Sequence, residues 1–315
     1  MKKIQSLLLT AALFGCDTTT SPGQDMTPVV VTPEQACPDL IKAYCAKAAE
    51  CFPFNQGLVW PDAATCAARL NLSCPQLAKL TGSSVTGADL MACTPKFASL
   101  SCTDYFSQTS QIQVCGFKPG TLADGTACGE DVQCQSLYCK KDAGQDCGKC
   151  TVLGKSGSVC VSGLDCDKGL ACVGAAGAKQ CTPFLMTGAT CSTASNSVPC
   201  HPTLACRNGM CGPQAQLGDT CSQAAQDCDK QKGLFCPATL KCVALTTATL
   251  GSPCGQQGST FILCNGGTSC DSVTKKCIAP LADNAACSAT AGASCQTPAK
   301  CTANVCKIPD PTLCK

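Results

Sequence analysis

The 315-residue chain carries one histidine, one tryptophan, three tyrosines and nine phenylalanines, and each shortage closes off a class of protein. A single histidine, His201 between Cys200 and Pro202, excludes multi-histidine metal sites and argues against the nucleophile–histidine pairs common in neutral-pH catalysis. Aromatic residues at 4 % cannot build a large core, and the 45 % hydrophobic content counts every cysteine and leans on alanine. Something other than apolar burial must stabilise the fold. Net charge is also small: 23 basic against 21 acidic residues, or 21 of each once Lys2 and Lys3 leave with a leader. A near-neutral chain offers no phosphate-binding field, which excludes nucleic acid as a partner.

Cysteine is what the chain has in excess, 35 of 315 residues, a density that signals a disulfide scaffold and an oxidising compartment. The first residues agree with export. Lys2 and Lys3 precede a short apolar run, Ile4 to Phe14, too short to span a bilayer as a helix. It ends in Leu13-Phe14-Gly15-Cys16, which resembles a bacterial lipobox, with Phe14 standing where a small residue is usual. The resemblance implies a signal peptide over 1–15, diacylation of Cys16 and a membrane partner reached through that lipid. Lipidation of Cys16 leaves 34 cysteines, an even number. Residues 16–36, rich in Thr and Pro, read as a flexible tether.

Residues 37–117 have helical spacing. Pro38 stands at a first helical turn, followed by Leu40, Ile41, Tyr44, Cys45, Ala48 and Cys51, and Pro53 stops the run. A second helix is expected over 61–72, a capped one from Thr86-Gly87-Ala88-Asp89, and a short one over 95–102. Eight cysteines (Cys37, Cys45, Cys51, Cys66, Cys74, Cys93, Cys102, Cys115) stitch these pieces, and Trp60 is expected to plug their small core.

From residue 118 the cysteines fall into a cadence. Clusters open at Cys128, Cys160, Cys191, Cys221, Cys254 and Cys287, 30 to 33 residues apart, which means tandem repeats. The repeats span about 122–152, 153–184, 185–216, 217–249, 250–280 and 281–315. Their structural cysteines begin with Cys128, Cys134 and Cys139 in the first, and are Cys160, Cys166, Cys172 and Cys181 in the second. Cys191, Cys200, Cys206 and Cys211 follow in the third, Cys221, Cys228, Cys236 and Cys242 in the fourth, and Cys254, Cys264, Cys270 and Cys277 in the fifth. Glycine stands three residues before each opening cysteine at 125, 157, 188, 218 and 251, with Asn284 in the sixth, so positive φ is expected at all six. Leu122, Leu153, Leu185, Leu217, Leu250 and Leu281 are expected to be the apolar plugs. Between third and fourth cysteines a hairpin is expected, most clearly around Asn208-Gly209. Four cysteines allow three pairings; first to third with second to fourth is favoured because crossed bridges tie loop onto hairpin.

The Gly-x-x-Cys openings, the Gly-Leu-x-Cys steps at 169–172 and 233–236, and the array behind a helical cysteine domain resemble the cysteine-rich repeat lipoproteins of myxobacteria. Their repeats are similar in turn to the N-terminal cysteine-rich region of Dickkopf proteins, most visibly from Cys128-Gly129-Glu130 to Tyr138-Cys139. The resemblance implies a cell-surface protein and brings no active-site residue.

Other constellations carry less. Cys147-Gly148-Lys149-Cys150 has the spacing of a redox dithiol or zinc knuckle but lies among structural cysteines. Asp165-Cys166-Asp167 and Asp227-Cys228-Asp229 lack the oxygens of a calcium loop and read as solvated carboxylates. Asn71-Leu72-Ser73 matches a glycosylation triplet without further support.

The expected molecule is a small disulfide-rich protein: a helical bridged domain followed by a semi-rigid stalk of six loop-plus-hairpin repeats, each touching only its neighbours. The first repeat has five cysteines (Cys128, Cys134, Cys139, Cys147, Cys150) and so has the sixth (Cys287, Cys295, Cys301, Cys306, Cys314). Across a rod their surplus sulfurs could not meet; only a bridge from Cys314 to the first repeat or the helical domain would fold the array back. No cofactor, metal or catalytic residue is expected. The function expected is structural or adhesive, with a protein or glycan ligand, in the cell envelope at the outer membrane or surface rather than the inner membrane. Protease inhibition or other loop-based binding is the alternative, and thiol–disulfide exchange through Cys147 and Cys150 or thiolate metal storage the remote ones.

Overall fold

The computed structural model describes residues 30–107, 112–142, 144–194, 196–258, 260–288 and 292–314. The signal peptide, Cys16 and most of the tether lie outside them. Residues 31–315 form one compact unit.

Six helices build a hub: α1 (Pro33–Cys51), α2 (Pro53–Val59), α3 (Ala63–Leu70), α4 (Gly87–Ser99), α5 (Cys102–Ser107) and α6 (Ile112–Cys115). Helix α1 starts earlier than Pro38 suggests. Thr32 is the N-cap, its N–H donating to Gln35 Oε1 at 2.9 Å, and Pro33 takes the first helical position, where a missing N–H costs nothing. Pro38 lies inside the helix. The Thr86 cap forms as the sequence suggests, with Asp89 N–H donating to Thr86 Oγ1 at 3.2 Å. The helix it starts runs on through Pro95 to Ser99, however, and no separate helix covers 95–102. The break falls at Leu100, after which Ser101 Oγ accepts from Asp104 N–H at 3.0 Å and opens α5.

Helix α1 packs on α4, burying Leu40, Leu90 and Phe97 with Phe117. Cys37–Cys74, Cys45–Cys66, Cys51–Cys102 and Cys93–Cys115 lock this core. Trp60 is buried against Cys45 and Cys66. Helices as short as α2 and α3 are marginal alone in water, and each bridge is expected to contribute about 2–4 kcal/mol by restricting the unfolded chain.

Every repeat has the same frame. First bonds to third and second to fourth: Cys160–Cys172 with Cys166–Cys181, Cys191–Cys206 with Cys200–Cys211, Cys221–Cys236 with Cys228–Cys242, and Cys254–Cys270 with Cys264–Cys277. The outer repeats follow with Cys128–Cys139, Cys134–Cys150, Cys287–Cys301 and Cys295–Cys306. Third and fourth cysteines face each other across the hairpin ladder, as Cys172 and Cys181 do, yet each is bonded elsewhere. Gly125, Gly157, Gly188, Gly218, Gly251 and Asn284 have φ between 64° and 87°. From that turn each donates its N–H to the carbonyl of its repeat's last frame cysteine at 2.7–2.9 Å. Asn208 and Gly209 both have positive φ and form the primed turn their sequence favours.

The leucine plugs hold for Leu122, which packs on the buried cysteines of its repeat, and fail as a general rule of register. The equivalent position lies six residues before each opening cysteine, where the backbone pairs in parallel with the second cysteine: Leu122, Gly154, Leu185, Ala215, Ala248 and Leu281. Leu153, Leu217 and Leu250 are one or two residues off it, and Leu217 and Leu250 are exposed. The buried plug of a repeat is its own pair of disulfides, since backbone pairing rather than a side chain sets this position.

The array is not a stalk. Cys147 of the first repeat is bonded to Cys314 beyond the last, with Cα atoms 5.3 Å apart. Lys300 Nζ lies 2.5 Å from Asp146 Oδ1 at the same junction, and Gly129 lies against Pro311. Nor are contacts limited to neighbours, because all six repeats touch the hub. Thr121 N–H donates to Gly82 O at 2.8 Å just ahead of the first repeat, and Val132 enters the core of α1 and α4. Gly169 N–H donates to Ser107 O at 2.7 Å, and His201 Nε2 lies 3.0 Å from Ser107 Oγ. Gly233 sits against the Phe54 ring, and Gly266 and Gly267 donate to Gly57 O and Leu58 O at 2.7 and 2.8 Å. Arg69 makes a two-pronged pair with Asp283 at 2.6 and 2.7 Å. Closure of the chain by Cys314 makes the hub an axle for the array rather than its first bead.

Candidate functional site

In repeats two to six the stretch between second and third cysteines meets the hub through Gly169, His201, Gly233, Gly266 and Gln296, and in repeat six Asp283, ahead of the first cysteine, adds its pair with Arg69. The loop between first and second cysteines and the hairpin between third and fourth meet neighbouring repeats: Lys140 and Arg207 of two hairpins pair with Asp165 and Asp227 of the loops that follow. Gly163 and Gly258 in the loops and Gly177 and Gly209 at the tips have open space where a Cβ would stand. Apolar side chains are exposed there: Val161 and Phe261 in loops, Met210 and Val273 at tips, with Val161 80 % and Val273 86 % accessible.

The frame is constant and the loops are not. Nine residues separate the last frame cysteine of one repeat from the first of the next at Cys150–Cys160, Cys181–Cys191, Cys211–Cys221 and Cys277–Cys287. The first loops span 129–133, 161–165, 192–199, 222–227, 255–263 and 288–294, so their lengths run from five residues to nine. Variable loops on a rigid frame are where binding is placed in many folds.

In repeats one, two and four the residue before the second cysteine holds the loop. Gln133 Oε1 accepts from Gly129 and Glu130 N–H at 2.7 and 2.9 Å. Asp165 Oδ2 accepts from Val161 and Ser162 N–H at 2.8 Å each, and its other oxygen pairs with Lys140. Asp227 Oδ1 accepts from Ser222 N–H at 2.8 Å while Oδ2 meets Arg207 Nε at 3.1 Å. The acidic pairs are therefore structural; Asp227 and Asp229 are buried, not solvated. Burial pushes the Asp165 carboxyl up, but Lys140 and the two backbone donors outweigh it and hold it at about 2.

The remaining candidates are absorbed by the frame. Cys147 and Cys150 are not a pair: Cys150 is bonded to Cys134 and Cys147 to Cys314. Sulfurs cluster in several repeats closely enough to suggest metal cages, yet each is in a disulfide and offers no thiolate. His201 is structural: it is buried between the third repeat and the hub. Thr203 N–H donates to Nδ1 at 3.3 Å, which leaves the ring proton on Nε2 to meet Ser107 Oγ, and Phe184 stands edge-on at 5.6 Å. The hub-facing role of the second-to-third segment was not read from the sequence; its available signal was glycine, at positive φ at 169, 233 and 266 and in close approach to the hub at 233.

No family model matches the sequence. No solved structure matches it either. Among curated proteins, the cell-cell adhesion glycoprotein 64 of Heterostelium pallidum is 32 % identical over 159 residues. That stretch is 47 % of this chain and 45 % of the glycoprotein, so the chain spans about half the length of this relative.

Proposed function

We propose that this is an exported surface protein that binds through the outward loops and hairpin tips of its closed repeat array, with an adhesive or ligand-binding role in the cell envelope. The observation that carries the reading is the division of labour in repeats two to six: the stretch between second and third cysteines meets the hub, while the first loops vary in length and they and the hairpin tips carry exposed apolar side chains. Loops fixed in advance lose little entropy on binding, and several on one scaffold can act together. The adhesion glycoprotein among the relatives supports the same class of work. All 34 cysteines of the described residues are bridged, which leaves Cys16 as the one cysteine outside the scaffold, in keeping with a lipid anchor there. A ligand of protein or glycan class and a role that is not enzymatic belong to the same proposal.

Beads coated with the protein test the adhesive part. They should attach to cells displaying it or its ligand, and replacing loops 192–199 and 255–263 with the five-residue loop 161–165 should abolish attachment while the disulfide map stays unchanged. Attachment that survives the replacement contradicts the reading. Cys16→Ala tests the anchor: the protein should leave the membrane fraction or remain an uncleaved precursor, and unchanged membrane association would rule out lipidation.

A further inference from the structure

Where the hub, the first repeat and the closing tail meet, the structure leaves a cavity of about 400 Å³. Helices α1 and α4 supply Ile41, Tyr44 and Phe97 to its wall, the turn after α3 supplies Leu77, and the tail supplies Ile308, Pro309 and Pro311. Tyr44 and Phe97 stand edge to face at 5.6 Å, so the wall includes a fixed aromatic corner. The size falls within the range of small-molecule sites, and a largely apolar wall with few polar groups is their usual composition.

The charges of the lining are of one sign. Glu130 and Asp131 belong to it, and no lysine or arginine does. Burial raises the Glu130 carboxyl, with Lys141 at 3.2 Å opposing that rise in part. An apolar wall ending in two carboxylates is complementary to an apolar molecule with a cationic end: the body replaces water on the wall, and the cation joins Lys141 as a partner of Glu130.

We propose that this cavity is a binding site for an apolar small molecule bearing one amine, its hydrocarbon body against Tyr44, Leu77 and Phe97 and its ammonium at Glu130. Cys314 ties the tail that forms one wall to the first repeat, so the same bridge that closes the array completes the site.

Two probes of the same shape test this on the purified protein by calorimetric titration: 1-(aminomethyl)naphthalene, a cation at pH 7, and neutral 1-naphthalenemethanol. The expected result is one saturable site per chain with the cation bound roughly tenfold more tightly, the scale of a charge-assisted hydrogen bond. Glu130→Gln keeps the side chain's size and should remove that preference. Leu77→Trp and Ile308→Trp, which fill the cavity from the hub and from the tail, should abolish binding of both probes with the disulfide map unchanged. No saturable binding of either probe, binding that survives both tryptophan variants, or a cation preference that persists in Glu130→Gln would overturn the proposal. If the tryptophan variants do not fold, Glu130→Gln alone decides.

Discussion

Glycine at positive φ answers two different needs in this chain, and the difference can be measured. Gly218 has φ +84° with nothing near the place of a Cβ, whereas Gly233 has φ +70° and its Cβ would stand 2.2 Å from the Phe54 ring. Gly218→Ala therefore bears only the backbone cost of a left-handed residue, about 1 kcal/mol. Gly233→Ala adds a clash at the hub contact and should cost roughly 1–3 kcal/mol more. Denaturant unfolding with disulfides intact checks the order, and equal losses would show that repeat four does not rest on α2. His201 is the other informative residue. Burial lowers its pKa below 6.5, with Thr103 O and Asp104 opposing. The unfolded chain therefore takes up the proton first as pH falls. Stability should be full above about pH 6.5 and decline below it, because burial disfavours the charged imidazolium in the folded chain. His201→Gln should flatten this part of the dependence of Tm on pH, and an unchanged slope would contradict the assignment.

Among the elements, legibility followed the cysteines. Their spacing gave the six repeats, the positive-φ turn before each and the hairpin at each end, because all three are local and enforced by covalent geometry or a glycine. The register of the residue six before the opening cysteine was not legible. Gly154, Ala215 and Ala248 share nothing with Leu122, Leu185 and Leu281 except the backbone bonds they make. Helix α2 was missed because its seven residues, with Gly57 inside, show no apolar period. A repeat remains a unit even so. Cys228→Ser with Cys242→Ser opens a loop with a sequence separation of 14 and should cost about 3 kcal/mol. Hydrogen exchange should rise in repeat four and in α2, which it touches, while α1 and α4 stay protected. Loss of protection throughout the hub would mean that the hub depends on every repeat.

For the whole molecule, the stalk expectation failed on a single long-range fact. No spacing in the sequence shows that the tail after the sixth repeat returns to the first, and the contacts that make the return favourable are scattered over all six repeats and the hub. Surplus cysteines in the first and last repeats were the only trace of it, and they find each other as Cys147–Cys314 at a sequence separation of 167. Removing both sulfurs, Cys147→Ser with Cys314→Ser, should cost about 2–4 kcal/mol, less than a loop of that length suggests because the bridges within it already shorten the chain. Closure also fixes the tail wall of the cavity, so the same variant should weaken the cationic probe. The most direct measurement is a disulfide map by mass spectrometry of the non-reduced, protease-digested protein. A peptide joining Cys147 to Cys314, beside one joining Cys134 to Cys150, is the expected result; a Cys147–Cys150 link, or Cys314 found as a free thiol or bridged to a second chain, would show that the array does not close.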